Sequence, residues 1–297
     1  MKPKTAIALV LILLVCTAYI VIRHTDLFRP SPPEGEAEGK KVFASEPGEA
    51  ARIVLLDAEG QRTVFEKPGE DWRIAEPVQA KAEGWKVDDI ARELKGLEFA
   101  RRHEPGEPAA PTDEVTGLDA PRWTVTLTDR DGKDFTLHVG RPVPLSGGSE
   151  TYVRPAGDDR TYVVRVDFAS SLGKPLGEFR SKTVLELRKD DVARVRIAGA
   201  ESYEILRADD RWDLAGRVSA QADTTKVEDL LRKLDGLRAK EFVADAPRSL
   251  AGYGLEADKA RLVVSVWRKA EPPDTQATQP AERPADVVLV LGNRVGD

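Results

Sequence analysis

The chain has 297 residues, of which 41% are hydrophobic and 32% charged, and its formal net charge is -6. That apolar share excludes a chain disordered throughout, and the length suits two modest cores better than one. The acidic balance excludes a general nucleic-acid binder, because no basic surplus exists to neutralise phosphates.

At the N-terminus, Thr5 to Ile22 runs for 18 residues without a charge. A helix needs about that length to cross ~30 Å of hydrocarbon. The run predicts an N-terminal transmembrane helix within residues 1–27, with the membrane as a partner through residues 5–22. A cleavable signal would have a shorter apolar region and a small-x-small site before the charged Arg23. Cys16 follows Leu13, Leu14 and Val15 rather than small residues, which argues against a lipoprotein. As the single cysteine, it leaves the rest of the chain without disulfides or thiol chemistry. A short cationic tail with Lys2 and Lys4 stays in the cytoplasm and places the body on the extracytoplasmic side. Residues 28–50, rich in Pro, Gly and Glu, read as a flexible tether.

Beyond the tether the chain repeats itself. "WRIAEPVQAKAEGWKVDDIARELKGL" from Trp72 aligns without a gap on "WDLAGRVSAQADTTKVEDLLRKLDGL" from Trp212, with 12 of 26 positions identical. Val87, Ile90, Ala91, Leu94 and Leu97 form an apolar stripe at helical spacing, and Val227, Leu230, Leu231, Leu234 and Leu237 repeat it. Asp223 is placed to cap the second helix, and Gly96 and Gly236 stand where a left-handed residue would end each. Before each helix come short β-rich runs, "ARIVLLD", "RTVFEK" and "WRIAEP", then "ARVRIAG", "SYEILRA" and "WDLAG". Each copy therefore opens as an antiparallel meander feeding a helix.

After each helix, "TGLDAPRWTVTLTDRDGKDFTLHVGRPV" from Thr116 echoes "YGLEADKARLVVSVW" and "ADVVLVLGNRV", a Gly-Leu-acid turn and a hairpin in both. The second hairpin carries the Pro-rich insert "RKAEPPDTQATQPAERPA" where the first has the tight "DRDGKD". Only the first copy continues, with "TYVRPAGDDRTYVVRVDFASSLGKPLGEFRSKTVLEL". The fold class read from these patterns is α+β: the transmembrane helix, then two tandem antiparallel-sheet-plus-helix units. They span residues 51–185 and 186–297, the second either shortened at its C-terminal end or closing its last sheet differently.

The W-x-[IL] openings at Trp72 and Trp212, the "K-V-x-D-[IL]-[AL]-R-x-L-x-G-L" helices at Lys86 and Lys226, the "TYVR…TYVV" hairpin from Thr151 and "FRSKTVLEL" from Phe179 carry a resemblance. The chain resembles bacterial domain-of-unknown-function family 4340. The resemblance implies a membrane-tethered extracytoplasmic protein found with gliding-motility-type ABC transport components, and it implies no catalytic residues.

The residues themselves offer little chemistry. His24, His103 and His138 have no metal-ligand spacing, and no G-x-S-x-G elbow is present. "DRDGKD" from Asp129 lacks the 12-residue loop of a calcium-binding EF-hand and reads as a turn with Asp131-Gly132 at its apex. "SGGSE" from Ser146 lacks a Walker lysine and reads as a connector. The acidic pairs Asp88-Asp89, Glu228-Asp229 and Asp209-Asp210 read as solvated charge, Trp72 and Trp212 as core, and Trp85, opposite Thr225, as a surface contact or a local packing change. No catalytic, cofactor-binding or metal residue is assigned, and no cofactor is expected.

Two functions are consistent with this pattern. One is a membrane-anchored interaction or scaffold protein whose edge strands take up a partner in the envelope, such as an ABC transporter complex. The alternative is an envelope hydrolase or ligand-binding protein with a site between the two repeats.

Overall fold

The computed structural model describes residues 40–245, 247–256, 259–269 and 283–293. In chain order, β1 (Ala50–Asp57), β2 (Arg62–Glu66), β3 (Arg73–Glu76) and β4 (Ala80–Lys81) lead into a helix over Gly84–Lys95. Then come β5 (Phe99–His103), a short helix Asp113–Thr116, β6 (Trp123–Asp129), β7 (Asp134–Pro142), β8 (Thr151–Pro155), β9 (Thr161–Val164) and two short helices, Phe168–Leu172 and Leu176–Phe179. The second half has β10 (Val192–Ala198), β11 (Tyr203–Ala208), β12 (Arg211–Ala215), β13 (Ala220–Ala222), a helix Thr224–Asp235, β14 (Leu262–Arg268) and β15 (Val287–Leu291).

These strands form two antiparallel sheets. One has nine strands in the order β4-β3-β2-β1-β6-β7-β8-β9-β5, and the other has six in the order β13-β12-β11-β10-β14-β15. The chain also divides into two compact units, residues 1–61 with 91–172 and residues 62–90 with 173–297.

The α+β expectation, with its transmembrane helix and two like sheet-plus-helix units, is corrected. The described chain is mostly antiparallel sheet with few helices, and its two sheets differ in size. Among the described residues no helix is long and apolar enough to cross a membrane. The run Thr5–Ile22 lies outside the described residues, as do His24 and residues 28–39. What does recur is strand order: reading inward from β4 and from β13, the first six strands of each sheet correspond one to one. The two long helices start and end 140 residues apart, at Gly84–Lys95 and Thr224–Asp235.

In the unit of residues 1–61 and 91–172, alternate residues of the sheet point into one core. Ile53, Val125, Leu137, Val139 and Val153 are each 0% exposed. Removing such a side chain from water stabilises by about 1.5–3 kcal/mol. The opposite face carries Thr124, Thr126, Thr128, Thr136 and His138, as period-two alternation requires. From the stretch read as a tether, Lys40–Ala50 joins this unit: Val42 is buried, its amide donates to the Leu97 carbonyl at 3.1 Å, and Phe99 N donates to Lys40 O at 2.8 Å.

In the other unit, Val227, Leu231 and Leu234 of the Thr224–Asp235 helix pack on Val195, Ile205, Trp212, Val264 and Val266. Asp223 caps that helix, accepting from Thr225 N at 2.9 Å and Lys226 N at 3.3 Å. Its last turn differs from expectation, because Gly236 has φ -76 rather than a left-handed angle. Gly96 and Gly236 instead place their amides 2.9 Å from the carbonyls of Arg92 and Arg232, and a Cβ at either would lie 3.2 Å from that same oxygen.

Candidate functional site

Hairpin β14–β15 closes the six-stranded sheet, with Leu262 opposite Leu291 and Val266 opposite Val287. "VVLVL" is β-branched and leucine throughout, so it favours an extended, half-buried setting. The connection-side ends of the hairpin strands are clasped at Asp286, whose Oδ2 accepts from Arg268 N at 2.7 Å and whose Oδ1 accepts from Arg283 Nη2 at 2.6 Å. Those donors, the Arg268 amide foremost, hold the Asp286 carboxyl below its ordinary pKa. Trp267 Nε1 donates to Arg283 O at 2.8 Å and completes the clasp.

Strand register identifies the counterpart of β15. In one sheet Val125 faces Leu137, and in the other Val264 faces Leu289. Leu137 thus corresponds to Leu289, Val139 to Leu291 and Gly140 to Gly292. A contact beyond the strands supports this alignment. A side chain at Gly140 would run into the carbonyl of Thr116, and one at Gly292 into the carbonyl of Tyr253. Gly117 and Gly254, which follow those two residues, both adopt the left-handed conformation, at φ 65 and 64. The Gly-Leu turn docks on the strand's glycine in both places.

The two strands differ on their outer side. β7 pairs there with β8, Leu137 opposite Pro155 and Val139 opposite Val153. Among the described residues β15 has no such neighbour and ends its sheet. The exposures follow: Val139 is 0% exposed, and its counterpart Leu291 is 40% exposed. Val288 is also exposed, at 56%. Among the described residues the outer edge of β15 is therefore an apolar row whose ladder of backbone donors and acceptors meets no further strand, without the lysine or proline that blunts many edges.

The residues weighed for chemistry are occupied by local structure. Asp129 accepts from Asp131 N at 3.1 Å and Lys133 N at 2.9 Å, which makes "DRDGKD" the turn its sequence predicts, with Gly132 at φ 80. In "SGGSE", Ser146 Oγ donates to Val143 O and Ser149 Oγ to Ser146 O, both at 2.7 Å. His138 lies on β7, 3.3 Å from Thr124 Oγ1, and burial above all, with Arg154 adding to it, lowers its pKa. His103 sits on β5, with Nδ1 3.9 Å from a Glu107 oxygen.

Of the acidic pairs, Asp88 departs from the expectation of plain solvated charge. It accepts the indole N–H of the buried Trp72 at 2.7 Å. Glu228 pairs with Lys189 at 3.7 Å, Asp229 pairs with Arg232 at 2.6 Å, and Asp209 turns the chain at φ 52. Trp212 is buried as expected, while Trp85 is 59% exposed with its N–H 3.3 Å from Glu83 Oε1.

Sequence reasoning passed over Asp158, which lines a cleft of about 650 Å³ with Phe43, Lys133 and Arg160. Arg160 donates to both of its oxygens, from Nε at 2.8 Å and Nη2 at 2.7 Å, and Tyr162 OH donates at 2.8 Å. The bonds from Arg160 foremost pull the Asp158 carboxyl down to about 2. Burial, with the bond to Asp158, pushes the Tyr162 phenol up to about 12. A carboxylate with its lone pairs committed to a hairpin is a poor general base.

The fold defines an antiparallel-sheet protein with a repeated strand order, in which one sheet carries further strands beyond β7 and the other ends, among the described residues, at β15. The family described as "Domain of unknown function (DUF4340)" matches residues 72–258 and again 212–297, and the chain belongs to it. Both matches begin on a tryptophan that opens a copy of the repeat, Trp72 and Trp212. No curated protein and no solved structure matches the chain.

Proposed function

We propose that this chain is a membrane-attached, extracytoplasmic interaction or scaffold protein that takes up a β-strand along the outer edge of β15. The observation that carries this reading is the contrast between Leu291, 40% exposed, and its counterpart Val139, 0% exposed beside β8. Main-chain bonds along such an edge supply affinity, and alternate side chains supply selectivity. Attachment through residues 5–22 is supported by the absence of charge from Thr5 to Ile22. An accessory place beside an ABC-type transport or gliding-motility-type envelope system rests on the family resemblance alone.

A hydrolase or ligand-binding role has less support, because the carboxylate of Asp158 in the cleft is committed to Arg160 and Tyr162. A photo-crosslinking amino acid at Val288 of the full chain in membranes, compared with one at the exposed Val218 beyond the other end of the sheet, tests the proposal. Protein adducts concentrated at position 288 support it. Equal labelling at both positions, or none, overturns it.

A further inference from the structure

We propose that the strand taken up by β15 is the β15 of a second copy of this chain, the two paired antiparallel about a two-fold axis. This rests on the reading of β15 as an open edge, and it names the occupant.

The nine-stranded sheet shows what the added strand must be. Beside β7 it is β8, running antiparallel, and it reduces Leu137 and Val139 to 0% exposure. A strand on β15 must likewise run antiparallel and present apolar residues on the core face. A two-fold axis normal to the sheet meets both conditions, because it reverses strand direction while keeping the core faces on one side.

The chemistry of the strand is self-complementary. Val287 and Leu289 pack against the core and Leu291 follows in the same alternation, so three of its five residues line the core face. Pairing centred on Leu289 sets Leu291 beside Val287 of the second copy, and each copy covers the other's exposed leucine. No residue from Val287 to Leu291 is charged. The nearest acid, Asp286, falls opposite Gly292 of the second copy and is already held by Arg283. No like charges are brought together.

The arrangement also closes. The opposite edge of the six-stranded sheet is β13, only three residues long and carrying Gln221. An isologous contact uses up the apolar edge in a dimer rather than leaving it to template an open stack.

The test is made on the full chain in its membrane, with the crosslinking amino acid at Leu291. The expected product has twice the 32.6 kDa mass of the chain and contains peptides of that chain only. Val288→Lys, and separately Val288→Glu, should each lower its yield by about tenfold, since the two like charges then lie on one face diagonally across the axis, about 7–8 Å apart, each opposite Val290 of the second copy. Co-expressing the two variants should restore it, which also shows that both still fold. A strong adduct to a different protein in place of the dimer overturns the second-copy inference and leaves the open-edge reading intact. No adduct at any edge position overturns both, and a dimer adduct indifferent to Val288→Lys overturns the two-fold pairing.

Discussion

The indole N–H of Trp72 donates to Oδ1 of Asp88 at 2.7 Å, joining the start of one strand to the first turns of the helix that follows it. Lys67 lies 5.6 Å from the centre of the same ring, and Arg207 lies 5.3 Å from that of Trp212, at the corresponding place in the repeat. A cation over a buried tryptophan has thus been kept in both copies, while the indole–carboxylate bond belongs to the first. Position 228 holds a glutamate that reaches Lys189. Trp72→Phe should cost about 1–3 kcal/mol in urea unfolding, and Trp72→Ala about 3–5 kcal/mol. Asp88→Asn, which keeps an acceptor, should cost well under half of the Trp72→Phe loss.

Gly140 and Gly292 have no room for a methyl group, because the carbonyls of Thr116 and Tyr253 occupy the space. Gly140→Ala and Gly292→Ala should each lower the thermal midpoint by several degrees, in keeping with overpacking costs of about 1–3 kcal/mol. Gly69→Ala, where a Cβ meets nothing within 4 Å, is the control and should leave the midpoint within about a degree. Equal behaviour of all three variants would refute the docking of the Gly-Leu turn.

Asp158 should shape the acid limb of stability. Its folded-state pKa of about 2 lies below the ordinary value, so its contribution is complete above roughly pH 4 and disappears as the pH falls through 2. Asp158→Asn should flatten that limb in a series of urea titrations between pH 5 and about 2. Tyr162 gives the opposite sign at the alkaline end. Its phenol is raised to about 12, so its contribution is complete below about pH 10 and is lost as the pH rises through 12. Ultraviolet titration should find one of the five tyrosines ionising last, and Asp158→Asn should bring it down.

Lys86 donates from Nζ to the backbone oxygen and to Oε2 of Glu178, both at 2.7 Å. Next to Glu178, Phe179 is buried with its ring 5.2 Å from that of Phe65. Lys86→Met should loosen the short helix Leu176–Phe179 and speed tryptic cleavage at Arg180 and Lys182 several-fold at little global cost. Phe179→Ala should lower global stability by about 3–5 kcal/mol. Cleavage rates equal to wild type in Lys86→Met would rule out the lysine as the helix's fastening.

Where the fold was legible in the sequence, the information was local. The stripe of Val227, Leu231 and Leu234 marked a helix, Asp223 marked its start, and Asp131-Gly132 marked a turn, each within a dozen residues. Where reading fell short, the cause was distant. Phe99–His103 shows too little alternation to stand out as a strand, yet it forms the outermost strand of the larger sheet because β9 offers it an edge. Gly96 and Gly236 look like left-handed caps, but the approach of the carbonyls of Arg92 and Arg232 is what they accommodate. The exposed row on β15 was hidden for the same reason: nothing in "VVLVL" reports whether another strand lies beside it. The α+β reading followed from the helices having the cleaner periodicity, although among the described residues strands hold more of the chain than helices do.

The clasp at Asp286 separates two things that hairpins usually couple. Because Arg268, Arg283 and Trp267 tie the strand ends together at positions 267–268 and 283–286, the alignment of β14 on β15 is set before the intervening segment begins. A fluorescent reporter or an affinity handle spliced between positions 269 and 283 should therefore leave the described ends of β14 and β15 in their original frame.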